Sequence, residues 1–366
     1  MKLLLVTFDP PENVGGVEGR ANGYVKELRR RGHFVVLEGL APGYSLELDP
    51  SGDEVAVRQP SDAKSFPNVL RNTIRLCDEK SIDSVFMLSG ALTLFGIAML
   101  TYCKATRRRS TVLFYGKDIL QARRTNLGKL LLTLSQRLAD RIVVNSRYTS
   151  SLLPRRVLAK TSILYPSVDT TLSRRGTNTS TRGSFPTVLF VGRLVKRKGM
   201  ADLIDAFRLV LNMRPTAQLE IVGDGPEKSY LERIVADLGL AKNVTFYGTL
   251  RGDELSERYV NCDVFAMTPR TLPDDVEGFG TVFLEAGLFG KASVGTVSGG
   301  VPEAVIDGKT GILALQGDVT GIARALTTLL SDGGLRNELG KNARTRVTSQ
   351  FTFERGVDQL LRVLAS

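Results

Sequence analysis

Short apolar runs alternate with amphipathic segments along most of the sequence, and this alternation restricts the possible fold more than any other feature. Continuously apolar strands separated by helices are typical of parallel sheets that are covered on both faces. The strands predicted in the first half are Lys2–Phe8, Phe34–Glu38, Val85–Leu88, Thr111–Phe114, Arg141–Asn145 and Ser162–Leu164. The sequence therefore predicts an α/β protein built on parallel sheets.

The alternating pattern restarts after Pro186, which predicts a second domain. The chain has 366 residues, too many for one ordinary core. We expect two Rossmann-like, doubly wound domains, residues 1–170 and 186–348, facing across a cleft that holds the ligand. Residues 171–185 contain almost no core-forming side chain and are predicted to be a linker. A final amphipathic helix is expected in residues 349–366.

The strands of the second domain are predicted from the same apolar runs. They are Thr187–Gly192, Gln218–Val222, Val244–Tyr247, Val264–Met267, Ala292–Gly295 and Gly311–Ala314. Helical apolar spacing predicts a helix after most of them. These helices are Ala201–Arg214, Lys228–Leu238, Asp253–Asn261 and Thr281–Phe289.

Positive charge is concentrated in the first domain. Residues 1–170 carry 25 Lys/Arg against 16 Asp/Glu, whereas residues 186–366 carry 21 against 22. The surplus favours an anionic partner such as a membrane surface, a lipid phosphate or nucleic acid, and a solvated basic surface is the alternative. Because basic and aromatic residues are not interleaved, no nucleic-acid partner is expected. The arginine clusters are Arg29–Arg31, Arg107–Arg109, Arg123–Arg124 and Arg155–Arg156.

Metal and thiol chemistry is disfavoured by composition. The chain has three cysteines without metal-ligand or disulfide spacing and a single histidine, His33. There is also no aspartate-x-aspartate motif, so we expect no metal and no cofactor other than a co-substrate. Such cysteine usage fits a reducing compartment and a cytoplasmic location.

One segment is long and apolar enough to be considered as a membrane span. Residues 84–103 contain no charge over about the length that crosses a bilayer. A Ser89-Gly90 turn divides the segment, however, into a strand and the start of a helix. We interpret it as core, and the apolar amino terminus as a buried first strand.

Two cations follow the first strand of the second domain. Arg193 comes directly after the strand, and Lys198 lies just before the next helix. Arginine binds oxygens in a fork and lysine supplies a point charge, so the pair is suited to a diphosphate. A solvated charge run is the alternative, because Lys196 and Arg197 lie in the same stretch.

Two glutamates flank a glycine turn that opens a helix further along the same domain. Glu277 precedes Gly278-Phe279-Gly280, and Glu285 is one turn or more inside the helix that follows. The free N–H groups of such a turn and the positive end of the helix favour an anion. An ordinary pair of exposed carboxylates is the alternative interpretation.

Three further glycine turns follow strands. Glycine lets the backbone approach a phosphate or a sugar closely, although each such turn alone is more often only a tight turn. The turns are Gly15-Gly16 after the first strand, Gly223-Asp224-Gly225 and Gly299-Gly300. The first lacks a full G-x-G-x-x-G pattern, which weakens a nicotinamide-binding interpretation.

Taken in order, these segments resemble the retaining glycosyltransferases of family 4, which have the GT-B fold. The resemblance covers nearly the whole chain and is strongest from Val188 to Leu315. It implies a metal-independent transfer of a hexose from a nucleotide diphosphate-sugar to an acceptor, with retention at the anomeric carbon. With the basic first domain, it predicts a lipid or glycan acceptor on the cytoplasmic face of a membrane, with the protein held there peripherally.

The resemblance also implies roles for individual residues. Arg193 and Lys198 would hold the diphosphate, Glu285 the ribose, and Glu277 with the Gly278–Gly280 backbone the transferred sugar. The remaining donor contacts would come from the backbone. These contacts are Thr281 and Val282 to phosphate, Leu250 to the base, Gly223 in the same pocket, and Gly15 and Gly16 from the first domain. The final helix would return to the first domain.

One departure from the family pattern concerns catalysis. Tyr115, in the sequence Phe114-Tyr115-Gly116-Lys117-Asp118, stands where many members have a histidine. The leaving phosphate can accept the proton in the mechanism that the resemblance implies, and Tyr115 can still hydrogen-bond the sugar. A catalytically weak, nucleotide-sugar-binding homologue with a scaffold role is therefore the alternative function.

Overall fold

The structure is a computed structural model that describes residues 1–8, 18–39, 46–48, 55–57, 66–174 and 185–365. It divides into two compact units. Unit 1 comprises residues 1–167 together with 353–366, and unit 2 comprises residues 168–352. The first boundary, after residue 167, comes before the predicted one at residue 170, and the second, after residue 352, comes after the predicted one at residue 348. Most of the predicted linker, residues 175–184, lies outside the described residues.

Unit 1 contains a six-stranded parallel sheet in the order β2-β1-β5-β6-β7-β8, beside a short antiparallel pair, β3-β4. Its strands are β1 Lys2–Thr7, β2 Phe34–Gly39, β3 Leu46–Leu48, β4 Val55–Val57, β5 Ser84–Met87, β6 Arg109–Phe114, β7 Arg141–Val144 and β8 Thr161–Ile163. Its helices before the second unit are α1 Glu18–Arg30, α2 Phe66–Glu79, α3 Leu94–Ala105, α4 Gly116–Ala122, α5 Asn126–Leu138 and α6 Arg147–Ser151, with a 3₁₀ helix at Arg155–Lys160.

Unit 2 contains a second six-stranded parallel sheet in the order β11-β10-β9-β12-β13-β14. Its strands are β9 Thr187–Val191, β10 Gln218–Val222, β11 Val244–Gly248, β12 Val264–Ala266, β13 Ala292–Thr296 and β14 Gly311–Ala314. Its helices are α7 Met200–Leu211, α8 Lys228–Asp237, α9 Gly252–Asn261, α10 Thr281–Leu288, α11 Val301–Ala304, α12 Val319–Ser331 and α13 Gly333–Gln350, with 3₁₀ helices at Thr170–Arg174 and Lys196–Lys198.

The last helix, α14 (Phe353–Ala365), belongs to unit 1. Its buried Val357 and Leu360 join the core cluster that contains Leu3 and Leu5 of β1. The helix is also fixed by charge, because Arg31 donates to Asp358 at 2.6 Å. The chain thus enters unit 2 once and returns to cover one face of the first sheet.

The strand order of unit 2 positions the site. The chain winds outward from β9 to β10 and β11 on one side, and then crosses to β12, β13 and β14 on the other. In such a sheet, ligands bind outside the carboxyl ends of the strands at the point where the direction of winding reverses. In unit 2 this point lies between β9 and β12, where the loops that begin at Gly192 and Met267 leave the sheet.

The predicted fold class, two Rossmann-like α/β units, is confirmed, and the predicted strands agree with the observed ones within one or two residues. Residues 84–103 form β5, a turn and most of α3, with Phe95, Met99 and Cys103 buried in the core. Among the described residues, no helix is both long and apolar enough to cross a bilayer.

Candidate active site

A buried ion pair lies at the carboxyl edge of the second sheet. Lys198 donates to Glu277 with 2.5 Å between Nζ and Oε2, and these residues are only 7% and 9% exposed. Lys198 also contacts the sulfur of Met267 at 3.2 Å. Two of the residues that the sequence predicted to act on the donor are thus brought into direct contact.

Arg197 is a second cation on the same carboxylate. Its Nη1 lies 2.6 Å from the same Oε2 atom of Glu277, and its Nε lies 3.1 Å from Oδ1 of Asp275. Charge-assisted bonds of this kind fix geometry as well as charge. A solvated charge run was the alternative interpretation of this stretch, but in the structure Arg197 is only partly exposed and is paired with Glu277.

The position of Lys198 depends on the glycine that follows it. Gly199 has a φ of +65°, and a Cβ atom there would lie 1.8 Å from the carbonyl oxygen of Thr268. The Thr268 hydroxyl in turn donates to the Gly199 carbonyl at 2.8 Å. Only glycine fits this contact, which joins the loop after β9 to the loop after β12.

The position of Glu277 depends on the Gly299-Gly300 turn after β13. The Gly300 N–H donates to the Glu277 carbonyl at 3.0 Å. Cβ atoms at Gly299 and Gly300 would lie 2.2 Å and 2.1 Å from the carbonyl oxygens of Glu277 and Gly278. This predicted glycine turn therefore supports the backbone of the Glu277 loop from behind.

The electrostatics keep Glu277 ionised. Burial by itself raises the pKa of its carboxyl, but the charges and hydrogen bonds of Lys198 and Arg197 lower that pKa below its usual value. Burial lowers the pKa of Lys198, and the Glu277 carboxylate opposes that change. Two cations, Lys198 and Arg197, thus balance two carboxylates, Glu277 and Asp275, in the buried part of the site.

The Gly278-Phe279-Gly280 turn leads from Glu277 into α10. Gly280 has a φ of +89° and is the residue before the first turn of the helix. N–H groups in a first turn have no partner within their helix, so those of Thr281 and Val282 are available to an anion. The Phe279 side chain is buried against Phe351 in the core of unit 2, so only the backbone of this residue can serve a ligand.

Glu285 lies in α10 and already has one protein partner. The buried hydroxyl of Tyr259 donates to its Oε2 at 2.9 Å. Burial raises the pKa of Glu285, against the opposing effects of the Tyr259 hydrogen bond and the Lys198 charge. Lys198 is thus close enough to act on both glutamates. Tyr259 orients Glu285 and was not identified from the sequence.

Arg193 is exposed, and among the residues that the structure describes it forms no ion pair. Its loop is held against the next one, because a Cβ at Gly223 would lie 1.9 Å from the Gly192 carbonyl oxygen. The Leu194 N–H also donates to the Asp224 carbonyl at 2.9 Å. The predicted arginine–lysine clamp is therefore split between an exposed, available arginine and a buried lysine that is paired with Glu277.

Leu250 lies beyond β11, next to the Gly223 turn. The Gly223 N–H donates to the Gly248 carbonyl at 2.7 Å, which joins the ends of β10 and β11. Leu250 follows two residues later and is half-buried, just before α9. The segments that follow β9, β10, β11 and β12 therefore begin at one edge of the sheet, and they carry all the predicted donor residues of unit 2.

Tyr115 lies at the equivalent edge of unit 1, directly after β6. Its backbone N–H donates to Oδ2 of Asp118 at 3.0 Å, and the Ile119 N–H donates to Oδ1 at 2.7 Å. Burial raises the pKa of Asp118 to about 7, while these backbone hydrogen bonds act in the opposite direction. Gly15 and Gly16, the other predicted residues of this unit, lie outside the described residues.

The site can be compared with known proteins. The model of the glycosyl transferases group 1 family matches residues 178–346. One relative is the GDP-mannose-dependent alpha-(1-6)-phosphatidylinositol monomannoside mannosyltransferase of Mycolicibacterium smegmatis. The two sequences are 34% identical over 350 residues, and the aligned region covers 90% of this chain and 89% of that relative. The chain belongs to the glycosyl transferases group 1 family. The transferase of the same description from Mycobacterium tuberculosis is 30% identical to this glycosyltransferase, and the aligned region covers 96% of this chain and 95% of that relative.

Solved structures agree on the fold of this glycosyltransferase. Sucrose-phosphate synthase from Thermosynechococcus elongatus superposes with a TM-score of 0.80 at 20% identity, over 100% of this chain and 98% of that one. HepE of Anabaena, solved in complex with UDP, gives a TM-score of 0.77 at 21% identity, over 100% of both chains. At this identity the likeness is one of fold, and the fold is GT-B.

Proposed function

We propose that this glycosyltransferase transfers mannose from GDP-mannose to a lipid acceptor that carries a phosphate-linked headgroup, with retention at the anomeric carbon. The observation that carries the proposal is the Lys198–Glu277 pair, because it sets a positive charge and a carboxylate side by side at the start of α10. The donor and the acceptor class come from the mannosyltransferases to which nearly the whole chain is similar.

The donor site is suited to a nucleoside diphosphate. Arg193, Lys198 and the free N–H groups at the start of α10 supply positive charge for the diphosphate. Glu285 has a second carboxylate oxygen beside the one that Tyr259 binds, which suits a ribose hydroxyl. We infer that these groups act without a metal ion, because they can offset the negative charge that develops on the leaving diphosphate.

The proposed chemistry is a displacement on one face of the sugar. The bond from the anomeric carbon to the diphosphate oxygen breaks while the acceptor oxygen bonds to the same carbon from the same side. The acceptor proton passes to the leaving phosphate oxygen, so no imidazole base is required. Glu277, kept ionised by its cations, orients the sugar, and Arg193 and Lys198 stabilise the leaving GDP.

The acceptor is proposed to come from a membrane. The basic balance of residues 1–170 favours a phosphate-bearing lipid, and Tyr115 at the carboxyl edge of β6 offers a hydroxyl to a sugar acceptor. Anionic lipids are abundant in the cytoplasmic leaflet, to which basic proteins bind reversibly. We therefore propose a peripheral enzyme on the cytoplasmic face of a membrane.

The test is a donor-release assay with the purified full chain. GDP release from GDP-mannose is measured with and without phosphatidylinositol mannoside, in buffer that contains a chelator, and is compared with UDP-glucose and UDP-N-acetylglucosamine. Mannose transfer with α configuration, seen by NMR of the product, supports the proposal. GDP binding without any donor turnover favours the non-catalytic scaffold alternative, and turnover only of a uridine donor refutes the mannose assignment.

A further inference from the structure

Helix α5 carries a second apolar face that does not belong to the core. Its buried residues include Leu132, Ser135 and Gln136. Four other leucines follow the i, i+3, i+4, i+7 spacing of a separate helical face. This leucine face consists of Leu127, Leu130, Leu131 and Leu134. A surface helix normally has one apolar stripe, which faces the core, so the second stripe requires another explanation.

The leucine face is open to solvent at its beginning. Leu127 and Leu130 are 61% and 53% exposed. Leu94, the first residue of the neighbouring helix α3, is 64% exposed. Single exposed leucines are common on protein surfaces. Here Leu127 and Leu130 lie about one turn apart on α5, and Leu94 begins the helix that packs against α5, so we treat the three as one apolar patch.

The patch lies at a defined end of unit 1. Helices α3 and α5 each lead into the amino end of the next strand of the parallel sheet, β6 and β7. Both helices therefore begin on the carboxyl-edge side, where Tyr115 also lies. The start of α5 is held there by Gly128, whose Cβ would lie 2.3 Å from the Ala122 carbonyl oxygen of α4.

The chain segment that contains α5 carries charge of one sign. Between Asp118 and Asp140 the sequence has four basic residues and no carboxylate. These residues are Arg123, Arg124, Lys129 and Arg137. Lys129 and Arg137 are exposed on α5 itself. The cluster Arg29–Arg31 is different, because Glu27 and Asp358 form ion pairs with Arg30 and Arg31 and offset part of its charge.

Arg155 and Arg156 extend the basic surround. Both are exposed in the 3₁₀ helix after α6. Arg123 at the end of α4 donates to the carbonyl of Leu152, which connects the end of α6, just before the 3₁₀ helix, to the α4–α5 corner. Basic residues therefore lie at the end of α4, on α5 and on the 3₁₀ helix after α6, all within the part of unit 1 that contains the leucine face.

We propose that the leucine face of α5, with Leu94, inserts into the interface of an anionic lipid bilayer while the surrounding Lys and Arg side chains contact the lipid phosphates. A helix with leucines on one face and cations beside them is suited to lie in the plane of a bilayer. A second copy of the chain is a poor occupant, because it would bring two basic surfaces together. This inference builds on the lipid acceptor proposed above, but its test does not use that acceptor.

The experiment is vesicle co-sedimentation of the full chain. Vesicles of phosphatidylcholine with phosphatidylglycerol are compared with vesicles of phosphatidylcholine alone. The double variant Leu127→Ser/Leu130→Ser is compared with Met213→Ser/Leu315→Ser, which removes two side chains of unit 2 that are 69% and 67% exposed. A third variant, Lys129→Gln/Arg137→Gln, tests the charge, and GDP affinity checks that each variant is folded.

We expect the wild type to bind the anionic vesicles and the leucine variant to lose at least about tenfold in affinity, since each leucine leaves the bilayer. The charge variant should also bind more weakly, and the unit 2 variant should match the wild type. Equal binding by the leucine variant, no binding of the wild type to anionic vesicles, or equal binding to neutral vesicles would each overturn the inference. A dimer that forms without lipid and is lost in the leucine variant would overturn it in favour of a second copy.

The two proposals can fail separately. Donor turnover without vesicle binding removes the docking surface and leaves the transferase mechanism intact. Vesicle binding without turnover of any nucleotide sugar leaves the docking surface intact and removes the proposed catalytic function.

Discussion

Lys198 and Arg197 bind the same oxygen atom of Glu277, at 2.5 Å and 2.6 Å, although the carboxylate is 79 and 80 residues away along the chain. Both cations come from the loop after β9, and the carboxylate comes from the loop after β12. Glu277 therefore has two tasks, because it neutralises a buried lysine and presents a carboxylate beside the start of α10.

Replacing Glu277 by Gln should lower both activity and stability. The amide keeps the shape but leaves Lys198 without its counter-charge and Arg197 paired with Asp275 alone, and removing one partner of a buried pair costs about 3–5 kcal/mol. We expect at least a hundredfold loss in kcat, as is typical for a group that acts electrostatically on the transition state, and a lower midpoint of thermal unfolding.

Glu27→Gln is the matched control for Glu277→Gln. Glu27 is also buried and also binds two cations, Arg30 and Arg31, but it lies in α1. We expect this variant to lose stability and keep its kcat. If both variants turned over the donor at the wild-type rate, Glu277 would have no catalytic role.

Replacing Arg193 by Ala should weaken nucleotide binding without affecting stability. The side chain is exposed, so its loss leaves no buried group unpaired. A charged hydrogen bond contributes about 1.5–3 kcal/mol, which corresponds to a loss of about tenfold or more in GDP affinity by calorimetry. Lys196→Ala removes an exposed cation from the same loop and should change the affinity less than twofold. Equal affinities for the two variants would refute the diphosphate role of Arg193.

Arg197 should act as a positioning residue that holds Glu277 rather than as a ligand of the donor. Arg197 bridges the carboxylates of Glu277 and Asp275, so Arg197→Ala removes one of the two cations that hold Glu277 and also breaks its link to Asp275. We expect kcat to fall about tenfold while KM for the donor changes little. Arg197→Lys should restore only part of kcat, because an ammonium group cannot reach both carboxylates in the fork geometry of a guanidinium. A large rise in KM with unchanged kcat would instead assign Arg197 to donor binding.

The elements that the sequence predicted well are those with a strong local pattern. The strands of both sheets were located because parallel strands buried on both faces are continuous apolar runs. The pairs Arg193–Lys198 and Glu277…Glu285 were singled out because their glycine turns and spacing resemble a known family, whereas the direct contact between Lys198 and Glu277 was not predicted. In each case the signal lies within a few consecutive residues.

The contacts that the sequence did not predict are those made by tertiary packing. Arg197 looked like one of several solvated cations, and only the meeting of two loops shows that it binds Glu277. Tyr259 lies 26 residues before Glu285, and nothing local to α9 indicates that its hydroxyl points toward that carboxylate. The leucine face of α5 has core-like spacing, so periodicity alone could not distinguish it from the buried face.

The stability of unit 1 should depend on pH through Asp118, at the start of α4. Burial raises the pKa of Asp118 to about 7, above the usual value of 3.8. Between these values the folded state binds more protons than the unfolded state, so stability falls as pH rises. The contribution of Asp118 is fully present below about pH 4 and is lost as the pH passes about 7, with a slope of at most about 1.4 kcal/mol per pH unit.

In Asp118→Asn this titration is absent, although one of the bonds from the Tyr115 and Ile119 N–H groups is lost as well. We therefore expect the free energy of unfolding of the wild type, measured in urea from pH 4 to pH 8, to fall relative to that of the variant. Two parallel pH profiles would show that the Asp118 carboxyl is ionised throughout this range in the folded protein.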